Sequence, residues 1–413
     1  MKKNYDEVNS KLKKVIIVLA IIMVLECIFF GIKYVKSRNS NTFISALNEI
    51  IKVDDKYVGV GISDFKNSKL NEYKAPGYNK PVLWVFDKNH NIVKELNYGK
   101  GFNGSFNDIV KVKDGYVVVG EIEPTNNMHK DGLSEGLIVK YDKDFKIVWT
   151  KNLQILDNTK LKSVIIDKDE NIITVGQSIY ANDIIGNHTT GGAILVKYDK
   201  DGNKIGVANY GGPKSGCFND VILVDDGYVT VGITREGTGI IFKYAFNGEE
   251  LWHNYYGYTD YEGLTSINYL NDQFIVTGSK LEEKGKTDSY KGAIVRFSSK
   301  GEKIDDILYE KEDIAKLEKS LVVDDKIIVI GVYGNKKEDI LDNQAMILEY
   351  DKDLKLVKEN TLEGKKIVTF SDIILDGDNY LVAGYTNSKL KGYKFNGYDY
   401  YPFIINYDKK LSK

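Results

Sequence analysis

The sequence predicts an all-β chain built from one repeated antiparallel meander, and three observations predict it. A short apolar strand ending in glycine recurs along the 413 residues, as YVGVG to Gly61, YVVVG to Gly120, IITVG to Gly176, YVTVG to Gly232, FIVTG to Gly278, IIVIG to Gly331 and YLVAG to Gly384. The spacings are 59, 56, 56, 46, 53 and 53 residues, which is the period of a repeated supersecondary unit. A second apolar strand follows each copy and ends in an aromatic residue, at Phe86, Tyr141, Tyr198, Tyr244, Phe297, Tyr350 and Tyr407. Composition agrees with these two patterns. With 38 glycines and 29 tyrosines against 5 prolines, tight turns between β-rich segments are favoured over long helices.

The remaining elements of the unit follow in order. An opening strand precedes the glycine strand, as in SFNDIVKV (Ser105 to Val112) and CFNDVILV (Cys217 to Val224). A polar turn such as DKDG (Asp199 to Gly202) or FNG (Phe246 to Gly248) follows the aromatic-ended strand, and a weaker strand such as IVWTKNL (Ile147 to Leu153) comes last. Four antiparallel strands in about 45 to 60 residues make one propeller blade. The predicted fold is therefore a seven-bladed β-propeller of four-stranded antiparallel blades over residues 43–413. A β-sandwich does not repeat its sequence, and a β-helix uses shorter coils with fewer hairpins. In the seventh unit, only Asp408–Lys413 remains after the third strand, which is short for a strand. Either this tail or KYVKSR (33–38) is expected to complete the last blade, so residues 33–42 read as a linker or a closing strand.

YGG at Tyr210 to Gly212, CFNDVILVDDGYVTVGIT through Thr234, GIIFKY to Tyr244 and NGEELW to Trp252 together resemble the seven-bladed β-propeller repeat family of bacterial envelope and secreted proteins. The resemblance covers roughly residues 43–410. Its motif consists of turn and packing residues, so it implies fold and little chemistry. Quinoprotein propellers share the Asp-x-x-Gly-x-x-x-Trp flavour of the outer strands, but only Trp149 and Trp252 fall near that place, and no cofactor is expected.

Residues Val15 to Ile32 read VIIVLAIIMVLECIFFGI, and eighteen helical residues rise about 27 Å, barely a bilayer. The run carries one charge, Glu26, toward one end. No small-x-small cleavage site follows it, and Val24, Leu25 and Glu26 do not suit lipidation of Cys27. An uncleaved transmembrane signal anchor at 15–32 is expected, with 1–14 as a cytoplasmic tail. Lys2, Lys3, Lys11, Lys13 and Lys14 precede the span, against Lys33, Lys36 and Arg38 after it, so the amino terminus should stay inside and the propeller outside. Beyond residue 33 there are 51 basic and 56 acidic residues. That balance argues against nucleic acid or an anionic surface as partner.

No catalytic motif is present. His90, His129, His188 and His253 lie in different units without metal or catalytic spacing. No G-x-S-x-G, H-E-x-x-H or phosphate-cradling glycine motif occurs. Cys27 and Cys217 build no disulfide framework. The Asp-rich turns at Asp142, Asp199 and Asp351 read as hairpins in which Asp caps its own backbone, not as calcium loops. The repeated glycines read as places where a side chain would crowd a neighbouring blade or where positive φ is wanted. On these grounds the chain is expected not to be an enzyme.

Two sets of residues are candidate sites. Twelve positions before the repeated glycine stand Glu49, Asp108, Asp220, Ser266, Lys319 and Asp372, with Ser163 at the matching place after a one-residue insertion. On the channel-lining strand they could surround an axial polar pocket, or each could cap a turn or bond the neighbouring blade's backbone. The second set lies in the long connections between second and third strands, at 64–80, 121–136, 178–191, 280–291, 333–344 and 385–400, which share a face with the blade-to-blade links. Aromatic residues gather there, and Tyr385, Tyr393, Phe395, Tyr398 and Tyr400 crowd into one connection. Tyrosine offers large contact area with a polar tip. The expected function is a membrane-anchored, extracytoplasmic binding or scaffold module for an envelope protein or cell-wall glycan. The alternatives are an extracellular hydrolase using axial carboxylates, which would need a pair about 5 to 9.5 Å apart, and a structural accessory of a membrane complex, for which Glu26 in the span is the hint.

Overall fold

The computed structural model describes residues 45–412 apart from 65–78, 100–102, 124–133, 157, 180–190, 211–215, 258–262, 285–286, 338–339, 342 and 391–399. The chain divides into two units, 1–42 and 43–413, and only the second falls among the described residues. The expected tail (1–14), anchor (15–32) and linker or closing strand (33–42) lie outside them. Among the described residues there is no helix, and none long and apolar enough to cross a membrane.

Strand follows strand in antiparallel meanders. The first sheet runs β1 (Ala46–Val53), β2 (Lys56–Asp64), β3 (Asn79–Phe86) and β4 (Ile92–Asn97); the second β5 (Gly104–Val112), β6 (Gly115–Ile122), β7 (Glu135–Asp142) and β8 (Ile147–Leu153). Two more four-stranded sheets follow: β9 (Asn158–Ile166), β10 (Ile172–Ile179), β11 (Gly192–Tyr198) and β12 (Lys204–Tyr210), then β13 (Gly216–Val224), β14 (Gly227–Thr234), β15 (Gly239–Ala245) and β16 (Glu250–Tyr256). The meander β17 (Gly263–Leu270), β18 (Gln273–Lys284), β19 (Thr287–Ser298) and β20 (Lys303–Tyr309) precedes β21 (Ile314–Val323) and β22 (Lys326–Gly334). A small hairpin of β23 (Lys336–Lys337) and β24 (Ile340–Leu341) leads to β25 (Gln344–Tyr350) and β26 (Leu356–Leu362). One parallel pair, Tyr290 with Ile314, joins these last two meanders into an eight-stranded sheet. The final sheet has three strands, β27 (Val368–Asp376), β28 (Asn379–Thr386) and β29 (Tyr401–Asp408).

The opening strands meet in a ring: β1 touches β5 and β27, β5 touches β9, β9 touches β13, β13 touches β17, β17 touches β21, and β21 touches β27. Sheets radiating from such a ring are a β-propeller. The apolar cores lie between neighbouring sheets. Val58, Val60 and Leu83 of the first sheet pack on Phe106, Ile109 and Val118 of the second. Leu47, Ile50 and Trp84 of the first pack on Leu381, Ala383 and Ile404 of the last, so the first and last sheets seal on each other. The aromatic residues that end the third strands are all at most 4% exposed. As the sequence suggests, the Asp-led turns are self-capped: Asp142, Asp199 and Asp351 each accept two backbone N–H groups from two and four residues ahead.

Three sequence expectations change. The repeated glycines sit inside the second strands, not at their ends, and none of the seven has positive φ. Their crowding neighbour is the opening strand of the same sheet: a Cβ would collide with the carbonyl oxygen of Ala46, Ser105, Lys160, Cys217, Gly263, Lys316 or Thr369. Residues 280–291 are no long loop, because β18 and β19 continue paired from Lys280 with Lys291 to Lys284 with Thr287. Residues 408–412 supply no closing strand either. They form another Asp-led turn, with Asp408 capping Lys410 and Ser412 and with Leu411 buried.

Candidate functional site at the propeller axis

Each opening strand carries a one-residue register shift, and each shift lies opposite its glycine: Leu47 pairs with Gly61, then Glu49 with Val60. The same break recurs before Asp108, Ser163, Asp220, Ser266, Lys319 and Asp372. A bulge bends its strand and re-aims the following side chain. The glycine admits the displaced carbonyl, and the bulge brings these seven side chains together.

At the axial positions the opening strands pair on one side only, so alternate N–H groups of the inner edge lack a ladder partner there and need another acceptor. The aspartates supply it in pairs. Asp108 accepts Ile109 N at 2.6 Å and, from the next sheet, Val164 N at 2.7 Å. Asp220 accepts Val221 N at 2.9 Å and Ile267 N at 3.0 Å. Asp372 accepts Ile373 N and Ile50 N, both at 2.8 Å, and so ties the last sheet to the first. Ser266 Oγ accepts Ser320 N at 3.4 Å. Three carboxylates and one hydroxyl thus satisfy the N–H following every axial position. The sequence reading left a ligand pocket and backbone bonding both open for these residues, and the bonds show where Asp108, Asp220 and Asp372 are committed.

Glu49, Lys319 and Ser163 have no such duty. Lys319 Nζ bonds both oxygens of Glu49, at 2.6 Å to Oε2, and lies 3.2 Å from Asp372 Oδ1. Its side chain keeps 27% of its surface open and that of Glu49 16%, whereas Asp372 is closed at 1%. Burial opposes the charge on Lys319, but Asp372, Glu49, Asp108 and Asp220 together hold its pKa well above the ordinary value. Burial, with Asp372 adding to it, raises Glu49 well above the carboxylate range despite Lys319. Burial pushes Asp108 up to about 6, against Lys319 and the Val164 N–H, and also raises Asp220. Among the described residues, no group of three or more His, Cys, Asp or Glu is arranged to hold a metal.

Side chains that sequence reasoning passed over do matter here. The bulged residue itself reaches the neighbouring opening strand: Asn48 donates to Phe106 O, Asn107 to Leu161 O, Asn219 to Leu264 O, Thr265 to Leu317 O and Ser371 to Leu47 O. Their signal was available, since each immediately precedes an axial residue. Of the loop-face set, the structure describes Tyr385 and Tyr400, whose rings lie 6.0 Å apart at 55°. Tyr393, Phe395 and Tyr398 lie outside the described residues.

No protein-family model and no curated protein matches the sequence. Solved structures of similar fold do exist. Hydrazine synthase from Kuenenia stuttgartiensis superposes with a TM-score of 0.51 at 9% identity, over 89% of this chain and 96% of that one. Lignostilbene dioxygenase from Pseudomonas brassicacearum gives 0.48 at 8% identity, over 84% and 86%. The β-propeller domain of the Trilobed protease from Pyrococcus furiosus gives 0.47 at 11%, over 89% and 95%. At such identities the likeness is one of fold. The fold is one that an enzyme, hydrazine synthase, also uses, so the expectation that the chain is not an enzyme is withdrawn. Want of a catalytic motif is no ground for excluding catalysis on this fold.

Proposed function

We propose that the chain is a seven-bladed recognition scaffold, held at the bacterial membrane by residues 15–32 and presenting its long-connection face outside the cell to an envelope protein or cell-wall glycan. The observation that carries this reading is the division of labour at the axis. The aspartates that could have made an axial pocket are each bonded to two backbone amides, so recognition falls to the face where the connections are long. The opposite face is built of short, self-capped hairpins with little freedom to vary. Tyr385 and Tyr400, in contact at the base of the 385–400 connection, mark where an aromatic anchor would stand. The test is crosslinking in intact cells followed by capture. Replacing Tyr393, Phe395 and Tyr398 by alanine abolishes capture of the partner, with the melting temperature of the variant measured alongside to show that it folds. Capture unaffected by the triple replacement overturns the reading. Protease added outside intact cells should digest the chain after Arg38 and spare the amino-terminal tail.

A further inference from the structure

Ser163 sits between two carboxyl groups. Its Oγ lies 2.9 Å from Asp108 Oδ2 and 3.1 Å from Asp220 Oδ1, both hydrogen-bond distances. A hydroxyl has one hydrogen and can donate to only one of the two. With both carboxyls ionised, the other contact would set a lone pair against an anionic oxygen inside the protein. The contact becomes a bond only if that carboxyl carries a hydrogen and donates it to Ser163. The charged groups around the bridge reinforce this. Lys319 from β21 is a cation that acts on both aspartates, and it is already bound to Glu49 of β1 and Asp372 of β27. Four carboxyl groups share one ammonium in a water-poor setting, and like charges so placed share a proton.

We propose that the Asp108–Ser163–Asp220 bridge holds one proton in mildly acidic solution, and that its release to solvent as pH rises to neutral and above loosens the ring between β5, β9 and β13. In the protonated state, one carboxyl O–H donates to Ser163 Oγ and the Ser163 O–H donates to the other carboxylate. Loss of the proton leaves one contact without hydrogen, and it opens. The two oxygens concerned also hold Val164 N and Val221 N, so the opening strands β9 and β13 feel the change. The raised pKa values of Asp108 and Asp220 point the same way.

Infrared spectroscopy of the full-length chain across pH 4 to 9 tests this, because a protonated carboxyl has its own carbonyl band. A band should survive above pH 5, where ordinary aspartates and glutamates are ionised, and should titrate near 6. It should persist in the double variant Glu49→Gln, Glu318→Gln, which removes the other carboxyls that burial raises. In Asp220→Asn its midpoint should fall by at least about one pH unit, since the partner charge is gone. Absence of any such band above pH 5, its loss in the Glu49→Gln, Glu318→Gln double variant, or an unmoved midpoint in Asp220→Asn overturns the proposal. Should Asp220→Asn fail to fold, hydrogen exchange of the unaltered chain decides. Protection of the Val164 and Val221 amides, corrected for intrinsic rate, should weaken from pH 5 to 8, and constant protection refutes the bridge.

Discussion

Replacing Asp372 by alanine should cost more stability than any other single change at the axis, because it unties the last sheet from the first. The side chain is fully buried and accepts Ile373 N and Ile50 N, each at 2.8 Å. A hydrogen bond to a charged group contributes about 1.5–3 kcal/mol, and a buried N–H left without a partner carries a comparable penalty. Two such amides give about 3–6 kcal/mol. Lys319 also loses its 3.2 Å partner, although Glu49 still holds it. A central value of about 4 kcal/mol, at about 2 °C per kcal/mol for a large domain, lowers the melting temperature by about 8 °C. Asp372→Asn retains one acceptor but turns an N–H₂ toward the second amide, so it should fall between alanine and the unaltered chain. Ser371→Ala removes the bond to Leu47 O across the same seam and should cost about 1 kcal/mol. Thermal melting of the full-length chain followed by near-ultraviolet circular dichroism ranks the three. An Asp372→Ala variant within about 1 °C of the unaltered chain would show that the amides find water instead, and the claim that the axial aspartates serve the scaffold would fail.

Three further outcomes follow from the same geometry. Gly301 has φ of 81° and a Cβ there would overlap the indole of Trp252, whose neighbour Asn254 bonds Gly301 O; Gly301→Ala should therefore destabilise by about 2 kcal/mol or more, while Gly248→Ala, with open space around it, should cost less, and equal denaturation midpoints would refute the docking. The raised pKa of Asp108, about 6, means that its burial costs stability above that pH and that the cost is relieved as pH falls toward about 4. Asp305 and Asp114, held low by bonds from Arg296 and Lys140, lose their contribution only below about 4, so melting temperature should peak near pH 4–5; a peak above pH 7 contradicts the sign. A chain ending at Phe403 loses Ile404, Tyr407 and Leu411, each at most 2% exposed, and should melt well below the full chain or fail to fold, whereas an unchanged melting temperature would mean that these residues do not seal the ring.

What was legible in the sequence, and what was not, both turn on the bulge. The twelve-residue interval between the axial residue and the glycine is the hairpin itself: down one strand, around a two-residue turn, and back up to the residue facing the break, as from Glu49 through Asp54 and Asp55 to Gly61. Spacing therefore exposed the strands and aligned the axial set, even through the longer turn at Asp167 to Asn171 that shifts Ser163 by one. Spacing carries no direction, however. It could not say that an Asp at this position faces two amides of adjacent strands, because that depends on how far apart the opening strands stand around the ring. For the same reason Glu49 and Asp372, alike as letters, differ in kind. The longer glutamate bonds Lys319 and no amide, whereas the shorter aspartate is shut between two sheets. A ring that spends three carboxylates on six amides has one hydroxyl, Ser266, for the last, and only Glu49, Lys319 and Ser163 are released from that work. Apart from the proton of the Asp108–Ser163–Asp220 bridge, any chemistry at the axis beyond holding the sheets together falls to Glu49 and Lys319, and Glu49→Gln and Lys319→Met are the substitutions that would reveal it without breaking a hydrogen bond to a backbone amide.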